Sequence, residues 1–392
     1  MLPVFVYHRD ALAKSLVDGM AGTSIIDFSS GMFLTAPRRT GKSTFLKEDL
    51  IPACQANDWE TVYVDLWSNR DADPASLIES AIVAKLYDNE SLVTKLLKSS
   101  GVSRVSILRT VTWDFTAGKL PAGATLGDAL QLLSAATDKL VVLIIDEAQH
   151  ALNSEQGMSS MFALKAARDA LNQGGQGQGL RLVFTGSSRD KLAQLVLNTK
   201  QPFFGAEITP FPLLDRDFVR AYTKDLNVKL AQNNHFQEDD MYKAFSLVGH
   251  RPELLASIVK RVALEMGDAP NLGELLERNA HDFQEEIWTD YLLAYDPLPN
   301  VQKAVLQAIA QQSLSKAPFA AYKDETQKAI KSFLRKRDPH AKTPTATNIQ
   351  KALESLREKE LVWRSGRGNY AFEDSGMAQW LNRVSEHDSE DL

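Results

Sequence analysis

The sequence has one cysteine in 392 residues, Cys54, so it can close no internal disulfide and build no multi-cysteine metal site. Cys54 reads instead as a small packed residue on a helix. No stretch approaches the roughly 20 apolar residues that a membrane-spanning helix needs, and no membrane partner is expected. The opening Met1-Leu2-Pro3-Val4-Phe5-Val6-Tyr7-His8-Arg9 lacks a basic start, an apolar centre and a small-residue cleavage site, so no secretory signal is expected and the cytoplasm is the expected compartment. Internal repeats are absent, and compositional bias is confined to a Gly/Gln run at 174–179. Positive charge is not in excess either: a net charge of −6 argues against indiscriminate nucleic-acid binding by the whole chain. What is present is a globular composition, 44% hydrophobic and 24% charged, at a length suited to about two to three domains.

The charge is unevenly spread. Residues 297–384 hold 15 Lys+Arg against 8 Asp+Glu, a net +7, and the tail 385–392 holds four acids. A basic module on an acidic engine suggests a polyanionic partner for that module.

The most informative stretch is Phe33-Leu34-Thr35-Ala36-Pro37-Arg38-Arg39-Thr40-Gly41-Lys42-Ser43-Thr44. A strand running into a loop that ends Gly-Lys-Ser cradles nucleotide phosphates: backbone N–H groups converge on the β-phosphate, Lys42 neutralises β/γ oxygens and the Ser43 hydroxyl ligates Mg²⁺. Pro37, Arg38, Arg39, Thr40, Gly41, Lys42, Ser43 and Thr44 are therefore the expected nucleotide-binding set, with Arg38 and Arg39 either rim charges or contacts to the γ-phosphate. Ala36 stands where the pattern G-x-x-x-x-G-K-[ST] wants glycine, and a modest loss of φ freedom is expected there.

About 100 residues further on, Leu140-Val141-Val142-Leu143-Ile144-Ile145 is apolar on both faces, as a central parallel strand would be, and it ends in Asp146-Glu147. Asp146 would hold the Mg²⁺ shell and Glu147 would orient or activate the attacking water, which makes the chain an ATP- or GTP-binding protein and a hydrolase. The next strand ends Thr185-Gly186-Ser187-Ser188-Arg189. Thr185 or Ser187 is the candidate γ-phosphate sensor there, and Arg189 would donate charge to a phosphate in the same or a neighbouring subunit. In Gly249-His250-Arg251-Pro252, at a helix start, Arg251 would reach back over the nucleotide while His250 packs or caps. His8 and Arg9 would lie near the base.

Strands alternating with helices up to about residue 213 predict an α/β layer with a parallel sheet and ligands at the carboxyl ends of its strands. Helices are expected at 43–57, from Pro74, at 126–137 and at 156–172, and strands at 61–66 and 180–185. Residues 101–125 read as an inserted hairpin or loop. Beyond Asp215 only helical spacing remains, at 218–232, 239–247, 251–266 and 272–293. Asp296-Pro297-Leu298-Pro299 is the clearest linker. Helices at 300–312, 326–336 and 348–358 then precede two short strands around a Gly/Asn turn, the order of a winged helix-turn-helix.

These residues, in this order, resemble the AAA+-related ATPases of the archaeal ATPase, Orc1/Cdc6-like and STAND group. The resemblance is carried by the loop at 36–44, Val-Tyr-Val-Asp-Leu at 62–66, Leu-Ile-Ile-Asp-Glu-Ala-Gln at 143–149, Phe-Thr-Gly-Ser-Ser at 184–188, Gly-His-Arg-Pro at 249–252 and the C-terminal winged helix. It implies ATP rather than GTP, Mg²⁺, a helical lid and nucleotide-controlled association with copies of itself or with partners. Residues 201–206 occupy a place where many relatives have a Gly-Arg pair, so the resemblance implies that hydrolysis in trans is either weak or uses Arg189. The expected organisation is an α/β P-loop NTPase core of AAA+-like type at 1–213, a helical lid at 214–296, a winged-helix domain at 297–384 and an acidic tail at 385–392. The expected function is an ATP-driven switch whose winged helix binds duplex DNA through Arg364 and Arg367, with Arg357 and Lys359 beside them. The alternative is a STAND-like signalling or scaffolding ATPase whose winged helix docks a partner effector protein.

Overall fold

The computed structural model describes residues 5–69, 71–98, 118–173, 179–197, 199–265, 271–314, 319–366 and 368–390. Five strands form a parallel sheet: β1 (Met32–Thr35), β2 (Glu60–Asp65), β3 (Leu140–Asp146), β4 (Gly179–Gly186) and β5 (Ile208–Pro210), in the order β2-β3-β4-β1-β5. Alternate residues leave a strand on opposite faces, and two cores result. Val142 and Ile144 pack with Met32, Leu34 and Val183 beneath α1 (Asp10–Ala21). Leu143 and Ile145 pack with Phe33, Leu182 and Phe184 beneath α4 (Pro74–Asp88), α6 (Leu126–Thr137) and α7 (Glu155–Asn172). Because β4 lies between β3 and β1, the loop after β1 and the ends of β3 and β4 open on one edge of the sheet, where parallel α/β sheets bind ligands.

Local chemistry sets the helix starts. Asp73 caps α4 by accepting from the Ala75 amide at 2.8 Å, with Pro74 in the first turn, and Thr125 and Asp128 form a reciprocal capping box on α6. The helix expected at 43–57 is one helical run in three parts: α2 (Lys42–Phe45), a widened π-helical turn Leu46–Leu50, and α3 (Ile51–Ala56). Pro52 has no N–H to give the carbonyl four residues back, which accounts for the widening. Cys54 is fully buried on this run, and burial pushes its thiol up to about 12. A short helix α5 (Glu90–Lys98) follows α4. Of the insertion expected at 101–125, residues 101–117 lie outside the described residues, and 118–125 form turns without a strand. Most of the Gly/Gln run, 174–178, also lies outside them.

After α8 (Arg189–Gln194) and β5, a helical cluster forms from α9 (Arg216–Asn227), α10 (Glu238–Leu247), α11 (Pro252–Glu265) and the first half of α12 (Leu272–Tyr295), around Phe218, Phe245, Leu255 and Ile258. Phe5 and Tyr7 join this cluster rather than the sheet, with Phe5 5.3 Å from Tyr222 and Tyr7 5.7 Å from Phe218 between ring centroids. The far end of α12 belongs to a fourth core. Trp288, Tyr291 and Tyr295 pack there with α13 (Asn300–Ser313), α14 (Asp324–Arg337), α15 (Ala346–Glu358) and α16 (Ser375–Glu390), and with an antiparallel sheet of β6 (Phe319–Ala320), β8 (Asn369–Phe372) and β7 (Val362–Gly366). Leu298 between the two prolines is buried in this core, so the 296–299 segment is pinned rather than loose. The stretch read as an acidic tail continues α16 as far as Glu390. No helix among the described residues is long and apolar enough to cross a membrane.

Candidate active site

The loop from β1 to α2 is shaped by two left-handed residues, Arg39 at φ 67° and Gly41 at φ 86°, and by the Thr40 hydroxyl, which donates to the Pro37 carbonyl at 2.8 Å. Ala36 is buried and is not among the left-handed residues, so the motif's missing glycine is not required by the backbone. Ala36→Gly is accordingly expected to leave nucleotide affinity within about twofold and to cost about 0.5–1 kcal/mol of stability from the freer unfolded chain, checked by nucleotide titration and calorimetry.

Lys42 and Ser43 reach the acids at the end of β3. The Lys42 ammonium, itself buried, lies 3.0 Å from Glu147 Oε1 and 3.9 Å from Asp146 Oδ1, and Ser43 Oγ donates to Asp146 Oδ2 at 2.6 Å. Asp146 is fully buried and accepts further bonds from the Thr185 hydroxyl and, at 3.2 Å, from the Tyr63 hydroxyl. Glu147 stands at φ 54°, a strained conformation for a residue with a Cβ. Its Oε2 accepts from Ser187 Oγ at 2.8 Å and from Gln149 Nε2 at 2.5 Å. Burial pushes the Glu147 carboxyl up, but the Lys42 ammonium and the bonds from Ser187, Gln149 and Lys42 outweigh it and hold the group below its ordinary value. Burial, reinforced by Asp146 and Asp65, pushes Tyr63 up, keeping it a donor.

Above this floor lies a cavity of about 630 Å³, within the range of nucleotide-sized pockets. Residues 37–44, Thr44 included, and Glu147 form one wall; Phe218, Tyr222 and Lys229 of α9 and the following turn, with Phe5, form the other. An aromatic wall opposite a phosphate loop suits a purine base. The oxygen pair of Ser43 and Asp146 fits a hard divalent cation such as Mg²⁺.

The structure divides the other expected site residues. Ser187 is in the site, whereas Thr185 is spent on orienting Asp146. Arg189 turns away: its guanidinium lies over the Trp363 ring at 5.7 Å, and its amide donates to Glu373. Arg251 does not line that cavity. It donates to Asp374 Oδ2 at 2.6 Å, where the Tyr291 hydroxyl also donates, and it lines a second cavity of about 520 Å³ that shares Pro37, Arg38 and Arg39 with the first. His250, at φ 57°, bonds the Leu214 carbonyl and packs on Phe245, as expected of a structural residue. His8 and Arg9 do not approach the cavity; His8 bonds Asp49 at 2.7 Å and Arg9 bonds the Pro212 carbonyl. Arg367 lies outside the described residues. Gln149, Tyr63 and Trp67 were given no role by the sequence, although Tyr63 lies within the segment at 62–66 and Gln149 within that at 143–149.

The residues after Ser187 grip the C-terminal module. Ser188 Oγ and the amides of Arg189 and Asp190 donate to the Glu373 carboxylate at 3.0, 3.0 and 2.7 Å. Asp190, buried, accepts from Arg357 Nε at 2.7 Å and from the Arg364 amide at 3.2 Å, and Lys191 pairs with Glu360.

Residues 29–195 match the family model described as an AAA domain. Among solved structures the chain is similar to a Walker-type ATPase of Pyrococcus abyssi, at 17% identity with 96% of each chain covered and a TM-score of 0.55. It is also similar to the ORC2 protein of Aeropyrum pernix in its ADP form, at 13% identity with 99% of this chain and 96% of that chain covered and a TM-score of 0.56. At these identities the likeness is one of fold. No curated protein matches the sequence.

Proposed function

From the premise that this chain is an AAA-type P-loop ATPase, with its AAA domain at 29–195, we propose that it is an ATP-driven switch in which nucleotide state controls a C-terminal DNA-binding module. Ser43 and Asp146 would hold Mg²⁺, which when bound neutralises and bridges phosphate oxygens. Glu147, ionised, takes the proton of the attacking water, and Lys42 answers the charge on the phosphate side.

The observation that carries the switch is the juxtaposition of two serines. Ser187 bonds the catalytic Glu147, and Ser188, the next residue, bonds Glu373 of the C-terminal module. Any shift of the β4 end that follows the γ-phosphate is thereby passed to the module through one peptide unit. Arg251, held by Asp374 and lining the second cavity beside Arg38 and Arg39, is the second link between the module and the edge of the loop.

The module is read as a winged helix from three helices, α13, α14 and α15, followed by the β7–β8 hairpin. Its net +7 supports duplex DNA as the ligand. Arg357 and the Arg364 backbone are engaged by Asp190 in this arrangement, so DNA and the ATPase core compete for the base of the hairpin. Duplex binding should weaken steeply with salt, be tighter with ATP than with ADP, and disappear when Arg364 and Arg367 are both changed to Glu. Binding retained in that variant rejects the DNA reading. A second reading, a protein partner, is favoured by one observation: the hairpin base already holds a protein carboxylate, Asp190. ATP-dependent homo-oligomers or partner complexes, with turnover indifferent to DNA, would select it.

A further inference from the structure

Four arginines are candidates to meet the terminal phosphate, and the structure separates them. Arg189 is over Trp363 and Arg251 is paired with Asp374. Arg39, thrown outward by its left-handed backbone, has its Nε 3.5 Å from Glu253, with both side chains more than half exposed. Arg38 alone faces the reacting end. Its Nε lies 3.5 Å from Ser187 Oγ, which bonds Glu147, which in turn bonds Lys42.

Arg38 also rests on a built platform. Its guanidinium lies over the Trp67 ring at 4.9 Å, and Trp67 packs against His150 at 4.4 Å. The Trp67 amide is tied back to Asp65 at 2.8 Å, which fixes the turn after β2. Stacking on an indole orients a guanidinium without neutralising it. Among the described residues no carboxylate lies within ion-pairing distance of Arg38, so its charge is available to an anion arriving between it and Lys42.

We propose that Arg38, oriented by Trp67, binds the γ-phosphate in cis and is the group by which this site tells a nucleoside triphosphate from a diphosphate. The inference stands on the ATPase assignment and is independent of what the C-terminal module binds.

The test is equilibrium binding of ADP and of a non-hydrolysable ATP analogue, both with Mg²⁺, to the full-length protein and to Arg38→Ala, Arg38→Lys and Trp67→Leu. Loss of one charge-assisted contact predicts that Arg38→Ala weakens the analogue about 10- to 100-fold while ADP stays within about twofold. Arg38→Lys should recover part of the analogue's affinity, since it keeps the charge but not the fork. Trp67→Leu should fall between wild type and Arg38→Ala, for the analogue only. Parallel weakening of both nucleotides would show that Arg38 merely shapes the loop, and unchanged analogue affinity would show that it is a rim charge; either result overturns the proposal. Wild-type binding of the analogue checks the nucleotide site itself.

Discussion

Glu147→Gln is expected to lower kcat by about 10²- to 10⁴-fold, the usual worth of a general base, with ATP affinity changed little. Glutamine keeps the length of the side chain and can still meet Lys42 through its oxygen, but it cannot accept a proton. The groups that would register the loss are already in place: Ser187 and Gln149 on Oε2 and Lys42 on Oε1. Phosphate release under single-turnover conditions, beside a binding titration, separates chemistry from affinity; a variant retaining more than a tenth of wild-type turnover would remove Glu147 from the role of base. The pH dependence follows from the same contacts. The folded carboxyl is held below its unfolded value, so its contribution to stability is present above the unfolded value and lost as pH falls through the folded one. Glu147 therefore stays ionised throughout the neutral range, and with Glu147 as the proposed base the acid limb of kcat/KM should fall below the ordinary glutamate range.

Asp190→Ala and Arg357→Ala remove the two halves of one ion pair and are expected to act in opposite directions on DNA. Asp190 is 6% exposed and Arg357 26% exposed in their side chains. Breaking a buried pair costs about 3–5 kcal/mol, and the water still reaching Arg357 moves this pair toward the lower end. Either change should loosen the module from α8, read as faster proteolysis between the ATPase core and residues 297–390. Only Asp190→Ala leaves the arginine free for a phosphate, so it should raise duplex affinity about 10-fold or more by removing the docked competitor. Arg357→Ala should lower it. If both variants loosen the module yet neither changes duplex affinity, the hairpin base is not the DNA surface.

The sequence made the chemistry legible where chemistry is local. Lys42, Ser43, Asp146 and Glu147 converge as the spacing of the motifs predicts, because a loop between an apolar strand and a helix and an acid at a strand end have few other places to go. Strand order was not legible: nothing in the β4 segment says that it inserts between β1 and β3. β5 escaped notice because three residues ending in a proline carry no periodic signal. The partners of Arg189 and Arg251 were not legible for a different reason. Arg189 and Arg251 are turned by Glu373, Asp374 and Trp363, which lie more than 100 residues away in sequence, and no local pattern encodes a docking between modules. Arg38 and Arg39 look equivalent in the sequence, and only the positive φ of the second parts them.

The burial of Cys54 has a practical consequence. A thiol sealed in the core, with burial pushing its pKa up to about 12, is almost wholly protonated at neutral pH and shielded from reagents, so maleimide dyes should leave the native protein unlabelled. Cysteines introduced at Phe162 on α7 and at Val384 on α16, both at exposed positions, would then be the sole sites of attachment. Energy transfer between that pair would follow the separation of the ATPase core and the C-terminal module through each nucleotide state, with no need to remove the native thiol first.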